Sequence, residues 1–390
     1  MHRDSAIAAA IQFMLIFLTV YVSANYYVYS WFQRAFGWRF FSVQTLIFIL
    51  FIASLPVIER SLHRSSWQLT ASIVAIPAYV WILCLLWFFF GGLIADLWNL
   101  AIRLASLALK RPLPLQIPAR MLLLVLAVWS ALAIAWGLTE VRRLRVTNIA
   151  LSTPKFPAGT QPVRIMQVTD LHLSSMTSAP RLDRVMRAIH DSNPDMLVLT
   201  GDMLDFTGPQ AASLMAQFKP VIPPLGKYAV LGNHEFYTGS EACAVLIQDA
   251  GFKLLRAESV RVPPAGGLSN LVVAGVDDPL RFANNGAYTS EDAALPRGVT
   301  GDYVIFLKHQ PLVSEKAQGR FDLQISGHTH AGQIFPFRFV VGLFYKYMSG
   351  LYSLPSGGSL YVSSGAGTWG PPVRVFAPPD VTIISIGPAQ

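Results

Sequence analysis

The stretch Val163-Arg164-Ile165-Met166-Gln167-Val168-Thr169-Asp170-Leu171-His172 decides how the chain is read. Its first six residues are mostly apolar, three of them β-branched, and suit a strand. A carboxylate and an imidazole follow, two side chains that bind divalent cations. The arrangement returns four times. Met196-Leu197-Val198-Leu199 leads to Gly201-Asp202-Met203-Leu204-Asp205. Lys227-Tyr228-Ala229-Val230-Leu231 leads to Gly232-Asn233-His234-Glu235. Tyr303 to Leu307 leads to Lys308-His309-Gln310, and Leu323 to Ser326 leads to Gly327-His328-Thr329-His330. Five of the eight histidines fall in these short segments, so they are concentrated where strands end.

Helical segments separate the strands, at Arg181 to Asp191, Ala211 to Phe218 and Glu241 to Ala250. Leu271 to Ala274, Leu360 to Val362 and Val381 to Ile386 add further strands. Such alternation predicts an α/β sandwich with largely buried sheets. Ligand sites in α/β sheets gather at the carboxyl ends of strands, so distant segments converge on one edge. Period-two alternation puts Asp170 and His172 on one face of a strand end, and His328 and His330 on another. A donor set of Asp, His and Asn without Cys suits Mn²⁺, Fe²⁺ or Zn²⁺. Two such ions about 3.5–4 Å apart need a bridging carboxylate, and Asp202 is the natural candidate.

The order D-x-H (Asp170-Leu171-His172), G-D-x-x-D (Gly201 to Asp205), G-N-H-[DE] (Gly232 to Glu235), a lone His309 and G-H-x-H (Gly327 to His330) resembles the calcineurin-like metallophosphoesterase superfamily. Residues 146–390 carry the likeness. Gly365-Ala366-Gly367-Thr368-Trp369-Gly370-Pro371-Pro372-Val373-Arg374 resembles the tail of its membrane-linked, YkuE-type branch. The resemblance implies a four-layer α/β/β/α sandwich. It implies one metal on Asp170, His172, Asp202 and His330, and a second on Asp202, Asn233, His309 and His328. It also implies that His234 meets the substrate and protonates the leaving group, and that Asp205 supports the site. The implied chemistry is attack on phosphorus by a metal-bridging hydroxide, with His234, ordinarily near pKa 6.5, supplying a proton.

The first 145 residues have another character. The chain is 13% charged against a usual ~25%, and 53% apolar. No charge interrupts Ser5 to Gln33, Phe40 to Ile58, Ser65 to Ala95 or Met121 to Thr139. Each interval approaches or exceeds the ~20 residues a helical span needs. Four transmembrane helices are expected, near 8–28, 40–58, 70–93 and 120–139, with Trp31, Trp38 and Trp98 as interfacial anchors. Val22-Ser23-Ala24 offers a signal-cleavage alternative, which the three later runs and the weakly charged start disfavour. Asp96 to Arg111 reads as a separate amphipathic helix, on the membrane surface or packed on the bundle. Domains are therefore expected at 1–145 and 146–390.

The net charge of +8 sits mainly beside apolar runs, which suits lipid headgroups and argues against a nucleic-acid partner. Arg3, Arg60, Arg64, Arg142, Arg143 and Arg145 would face one side, and Arg34, Arg39, Arg103, Lys110, Arg111 and Arg120 the other. Six against six leaves the side of the catalytic domain undecided. Cys84 and Cys243 cannot form a disulfide framework. The spans carry no acid or base between their ends, which disfavours a transporter.

The expected function is a multi-pass, inner-membrane, metal-dependent phosphoesterase. It would hydrolyse phosphodiester or pyrophosphate bonds of a phosphorylated small molecule or lipid. The alternative is a membrane scaffold or sensor that binds a phosphorylated partner through the same domain. Arg374 is a candidate substrate-binding residue, as a bidentate phosphate donor, or else a structural arginine. Glu235 either orients a neighbouring ligand or is a surface acid. The aromatic run Phe335 to Tyr347 either forms a lip for lipid or packs in the core.

Overall fold

The computed structural model describes residues 2–37, 43–63, 67–174, 178–263, 270–278, 291–297, 301–355 and 357–389. Trp38, Arg39 and Arg64, and the start of the second expected span, lie outside them. The chain divides into two compact units, Met1–Gly137 and Leu138–Gln390.

Unit 1 contains α1 (His2–Phe36), α2 (Val43–His63), α3 (Gln68–Ala108) and the greater part of α4 (Ala119–Glu140). The expected four spans must be corrected. Among the described residues two segments are long and apolar enough to cross a membrane, Ile73–Ala108 and Ala119–Glu140. In α2 the apolar segment among the described residues is Ile47–Glu59. The first span falls partly on side chains outside the described set.

The separate helix expected at 96–111 is also corrected. No proline interrupts the chain between Pro77 and Pro112, so the backbone ladder of α3 continues to Ala108. Its 41 residues extend about 60 Å, twice a hydrocarbon core of ~30 Å. The proline-rich segment that follows folds back on it. Trp98 Nε1 donates to Leu115 O at 2.8 Å, Ile117 N to Asn99 Oδ1 at 2.7 Å and Leu113 N to Ser106 Oγ at 3.1 Å.

Unit 2 holds two six-stranded sheets. In chain order its elements begin β1 (Arg145–Thr153), β2 (Val163–Val168), α5 (Ser178–Ser192), β3 (Met196–Thr200) and α6 (Pro209–Ala216). Then come β4 (Lys227–Val230), α7 (Asn233–Thr238), α8 (Ser240–Asp249), β5 (Lys253–Leu254), β6 (Glu258–Arg261) and β7 (Leu271–Val276). The rest are α9 (Glu291–Ala294), β8 (Tyr303–Lys308), β9 (Leu323–Ser326), α10 (Arg338–Phe344), β10 (Gly350–Ser353), β11 (Ser359–Val362) and β12 (Asp380–Pro388).

The first sheet runs β1-β12-β2-β3-β4-β5 and the second β10-β11-β9-β8-β7-β6. Strands β2, β3 and β4 are parallel, as are β7, β8 and β9. Their carboxyl ends therefore share an edge within each sheet. Between the sheets, Ile165, Val198 and Val230 pack with Val273, Ile305 and Ile325. On the outer face of the first sheet, Met166, Leu197 and Leu199 pack with Leu182 and Ile189 of α5, Met215 of α6 and Ile247 of α8. Over the second sheet, Phe306 and Leu360 meet Ala294 of α9 with Ala317 and Phe321. Strands covered on both faces read as continuous apolar runs, which is how β3 and β7 were legible.

The edge strands β1, β6 and β10 had no such signal. They alternate or stay exposed along their length. β1 is fixed by its parallel register with β12, from Arg145 opposite Asp380 to Thr153 opposite Pro388.

Candidate metal centre

All five motif segments follow strand ends, three from the first sheet and two from the second. One expectation about them fails. Asp170 and His172 do not continue a strand with period two. Both are left-handed, with φ of 52° and 46°, and so are Asp202 (55°), His328 (74°) and His330 (50°). The loops turn sharply so that alternate side chains point to one place. Non-glycine residues held at positive φ store strain of order 1–3 kcal/mol each and cluster at functional sites. Close packing needs glycine at two neighbours. A Cβ on Gly232 would collide with Asp202 Oδ1, and one on Gly327 with Asp170 Oδ2.

Among the described residues three groups of potential ligands form: Asp170, His172 and His330; Asp202, His309 and His328; and His172, Asp205 and His234. In the first, His172 Nε2 and His330 Nε2 are 3.0 Å apart, with His330 Nε2 3.4 Å from Asp170 Oδ1. In the second, His309 Nε2 is 3.1 Å from both His328 Nδ1 and Asp202 Oδ2. Asp202 Oδ2 also lies 3.8 Å from His172 Nε2, so this one carboxylate joins the clusters.

The surroundings fix each donor. His309 Nδ1 faces Thr200 O at 2.7 Å, which leaves Nε2 as the inward atom. His172 Nδ1 lies 3.0 Å from Asp205 Oδ1, and His234 Nδ1 2.7 Å from the same oxygen. One carboxylate oxygen of Asp205 is thus shared by two histidines. Glu235 is buried and accepts N–H groups from Gly232, Asp202, Met203 and Leu204 at 2.6–2.9 Å. It is no surface acid: it clamps the Asp202 loop to the start of α7.

The charges fit cations. Burial alone would raise the Asp205 carboxyl, but His172 and His234 hold it well below the usual range. Burial would lower the His234 imidazole, but the hydrogen bond and charge of Asp205, with Asp202, raise it. Burial opposes the charged form of His309 too, yet Asp202 and Asp170 raise it well above its ordinary value. The buried acids draw positive charge to the centre. By contrast, burial and the neighbouring His309 push His328 down to about 3, and burial with Arg374 holds His330 well down. Neutral imidazoles are the form a metal requires. Asn233 Oδ1 is buried with no hydrogen-bond partner among the described residues. An orphaned amide oxygen here is a costly feature that a bound cation would satisfy. The residues present therefore suit divalent metal.

Of the two readings offered for Arg374, its surroundings fit the structural one and not the substrate contact. It is fully buried, and its donors go to the protein's own carbonyls. Nε reaches Gly367 O at 2.9 Å, Nη1 reaches Ser364 O at 2.8 Å, and Nη2 reaches Gly365 O at 3.0 Å and His330 Nδ1 at 3.1 Å. It ties the Gly365-to-Gly367 loop to His330, because a buried guanidinium must spend its donors on partners.

Sequence reasoning missed a chain of contacts behind His328. Its Nε2 lies 2.7 Å from Tyr345 Oη, which donates to Gln310 Oε1 at 3.0 Å. Gln310 Nε2 in turn donates to Asp278 Oδ1 at 2.6 Å. Burial pushes the Asp278 carboxyl up to about 7. Asp278 follows the end of β7, so the strand-end rule used for the other segments could have found it. Nothing local marks Tyr345.

A family model described as calcineurin-like phosphoesterase matches residues 163–332. A metallophosphoesterase of Aquifex aeolicus is 37% identical over 254 residues, 65% of this chain and 95% of its own. YkuE of Bacillus subtilis is 30% identical over 257 residues, covering 63% and 87%. A Danio rerio protein named as a transmembrane protein with a metallophosphoesterase domain is 29% identical over 274 residues, 68% of this chain and 62% of that protein. With motif order, strand-end geometry and these relatives in agreement, the chain belongs to the calcineurin-like metallophosphoesterase family.

Proposed function

We propose that the protein is a membrane-anchored phosphoesterase that hydrolyses phosphodiester or pyrophosphate bonds, lipid substrates included. Asp170, His172, Asp202 and His330 would hold one divalent cation, and Asp202, Asn233, His309 and His328 a second, with manganese, iron and zinc as fitting ions. When bound, the pair supplies Lewis acidity that activates water and takes up charge on the phosphoryl oxygens. Asp205 holds His234 by Nδ1 and favours its protonated form. His234 then has a proton on its other nitrogen to give to the leaving oxygen. Glu235 keeps the Asp202 loop from shifting. The apolar α3 and α4 would anchor the chain as a multi-pass protein of the inner membrane; the transmembrane-named relative supports membrane association alone.

One observation carries the reading: a single carboxylate, Asp202, within 3.8 Å of a histidine from each cluster. The test is turnover of bis(p-nitrophenyl) phosphate and p-nitrophenyl phosphate by the purified full chain, with and without added Mn²⁺. The diester should be cleaved, and only with metal. Cleavage of the monoester alone defeats the diesterase assignment. Full cellular function in a metal-loaded His234→Ala protein would favour the scaffold instead.

A further inference from the structure

Unit 2 keeps one apolar surface out of its core. The helix α10 reads Arg-Phe-Val-Val-Gly-Leu-Phe, and none of its seven residues is buried. Phe339 is 62% exposed, Leu343 82% and Phe344 64%. Each such side chain left in water forgoes about 1.5–3 kcal/mol of burial.

Three of its aromatic rings touch. The ring of Phe335 packs 5.8 Å from Phe339 and 5.8 Å from the exposed Phe376. Gln333, just before it, bonds both backbone groups of the exposed Trp369 at 2.8 Å. Elsewhere in the unit, exposed large apolar residues such as Ile222 and Val245 are scattered along the chain.

Charge says what kind of surface would cover it. From Leu323 to Pro379 the chain has no Asp or Glu, whereas exposed Arg338 opens α10 and exposed Lys346 follows its end. Aromatic and aliphatic side chains beside cations, with acids excluded, suit the headgroup boundary of an anionic bilayer. A protein groove would leave no reason to exclude acids over so long a stretch. The patch also borders the centre: α10 begins against Gly332, and Tyr345 directly after it reaches His328.

We propose that α10, with Phe335 and Phe376, is a docking lip that rests in the interface of a bilayer containing anionic phospholipid. The lip would bring the metal centre to the membrane surface. The proposal rests on the membrane association described above but not on the catalytic reading.

The test uses the full chain in nanodiscs of phosphatidylcholine and phosphatidylglycerol at roughly 3:1, with some lipids carrying a doxyl quencher on the acyl chain. A Leu343→Cys variant, with Cys84→Ser and the buried Cys243 retained, takes an environment-sensitive fluorophore. The reference is Ile222→Cys, 85% exposed and ahead of β4, away from the carboxyl-end edge. Position 343 should be quenched about twofold or more above position 222, and Arg338→Gln with Lys346→Gln should reduce the difference. Equal quenching at the two positions overturns the lip. So does shielding of position 343 in lipid-free detergent that grows with protein concentration, which would mean a second copy covers it. Metal content and diester turnover, read on the same samples, report the catalytic reading separately.

Discussion

Leucine, isoleucine and phenylalanine do opposite things in the two units. In unit 1 many of them face outward: Ile94 is 67% exposed, Leu107 74% and Leu124 66%. In unit 2, Ile165, Leu199, Phe306 and Ile325 are sealed between layers, and the charged Asp170, Glu235 and Arg374 are sealed with them. The contrast is what membrane association of unit 1 would require. An outward apolar face is stable against lipid and costly in water. An inward carboxylate is tolerable only where cations and N–H groups surround it. The lip on α10 is the place where unit 2 follows the rule of unit 1.

Removing the joining carboxylate gives the largest expected effect. Asp202→Ala should lower diester turnover by at least about 10³-fold, the scale on which charge stabilisation acts in phosphoryl transfer. Elemental analysis should show loss of bound metal, while the protein still needs detergent for extraction. Retained metal in that variant would break the two-cluster geometry.

His234→Ala should lower turnover by about 10²–10³-fold with metal retained. A proton donor with a raised pKa works below that pKa, so kcat/KM should fall as pH rises through it. Asp205→Asn removes the neighbouring charge and should move that descending limb to lower pH. A limb that stays in place would rule out Asp205 as the cause.

Arg374→Ala leaves several buried carbonyls without a donor. We expect a loss of about 2–4 kcal/mol, seen as a lowered Tm of the metal-free protein. In unit 1 the corresponding insult is the reverse one. Val128→Arg, at an exposed position within α4, should cost about 2.5–3.5 kcal/mol of membrane insertion. Carbonate extraction would detect it, and the diester turnover of the protein that does insert should be unchanged. Were Val128→Arg to insert normally, the lipid-facing reading of α4 would fail. The smallest change expected is Tyr345→Phe. Losing a bond behind the candidate ligand His328 should weaken metal affinity or turnover by about tenfold.

The legible parts share a property. Strands β3 and β7 are apolar on both faces, so their sequence shows them without any knowledge of neighbours. The candidate Asp, Asn and His ligands were legible because each comes soon after a mostly apolar strand. β1 and β10 were not, because an edge strand keeps one side exposed and its pairing is chosen by a distant partner. The reach of α3 was missed because a change from apolar to amphipathic composition is not a break in a helix; only the backbone decides that.

What the chain determined by itself is the local chemistry: where strands end, which donors stand there, and which stretches are too apolar for water. These depend on residues near one another in sequence. The tertiary structure alone decided that Asp202 lies between two histidine clusters, that Arg374 is buried in its own loop, that Tyr345 backs His328, and that α10 stays uncovered. Each of those facts is a distance between groups far apart along the chain, and such distances exist only once the two sheets have packed.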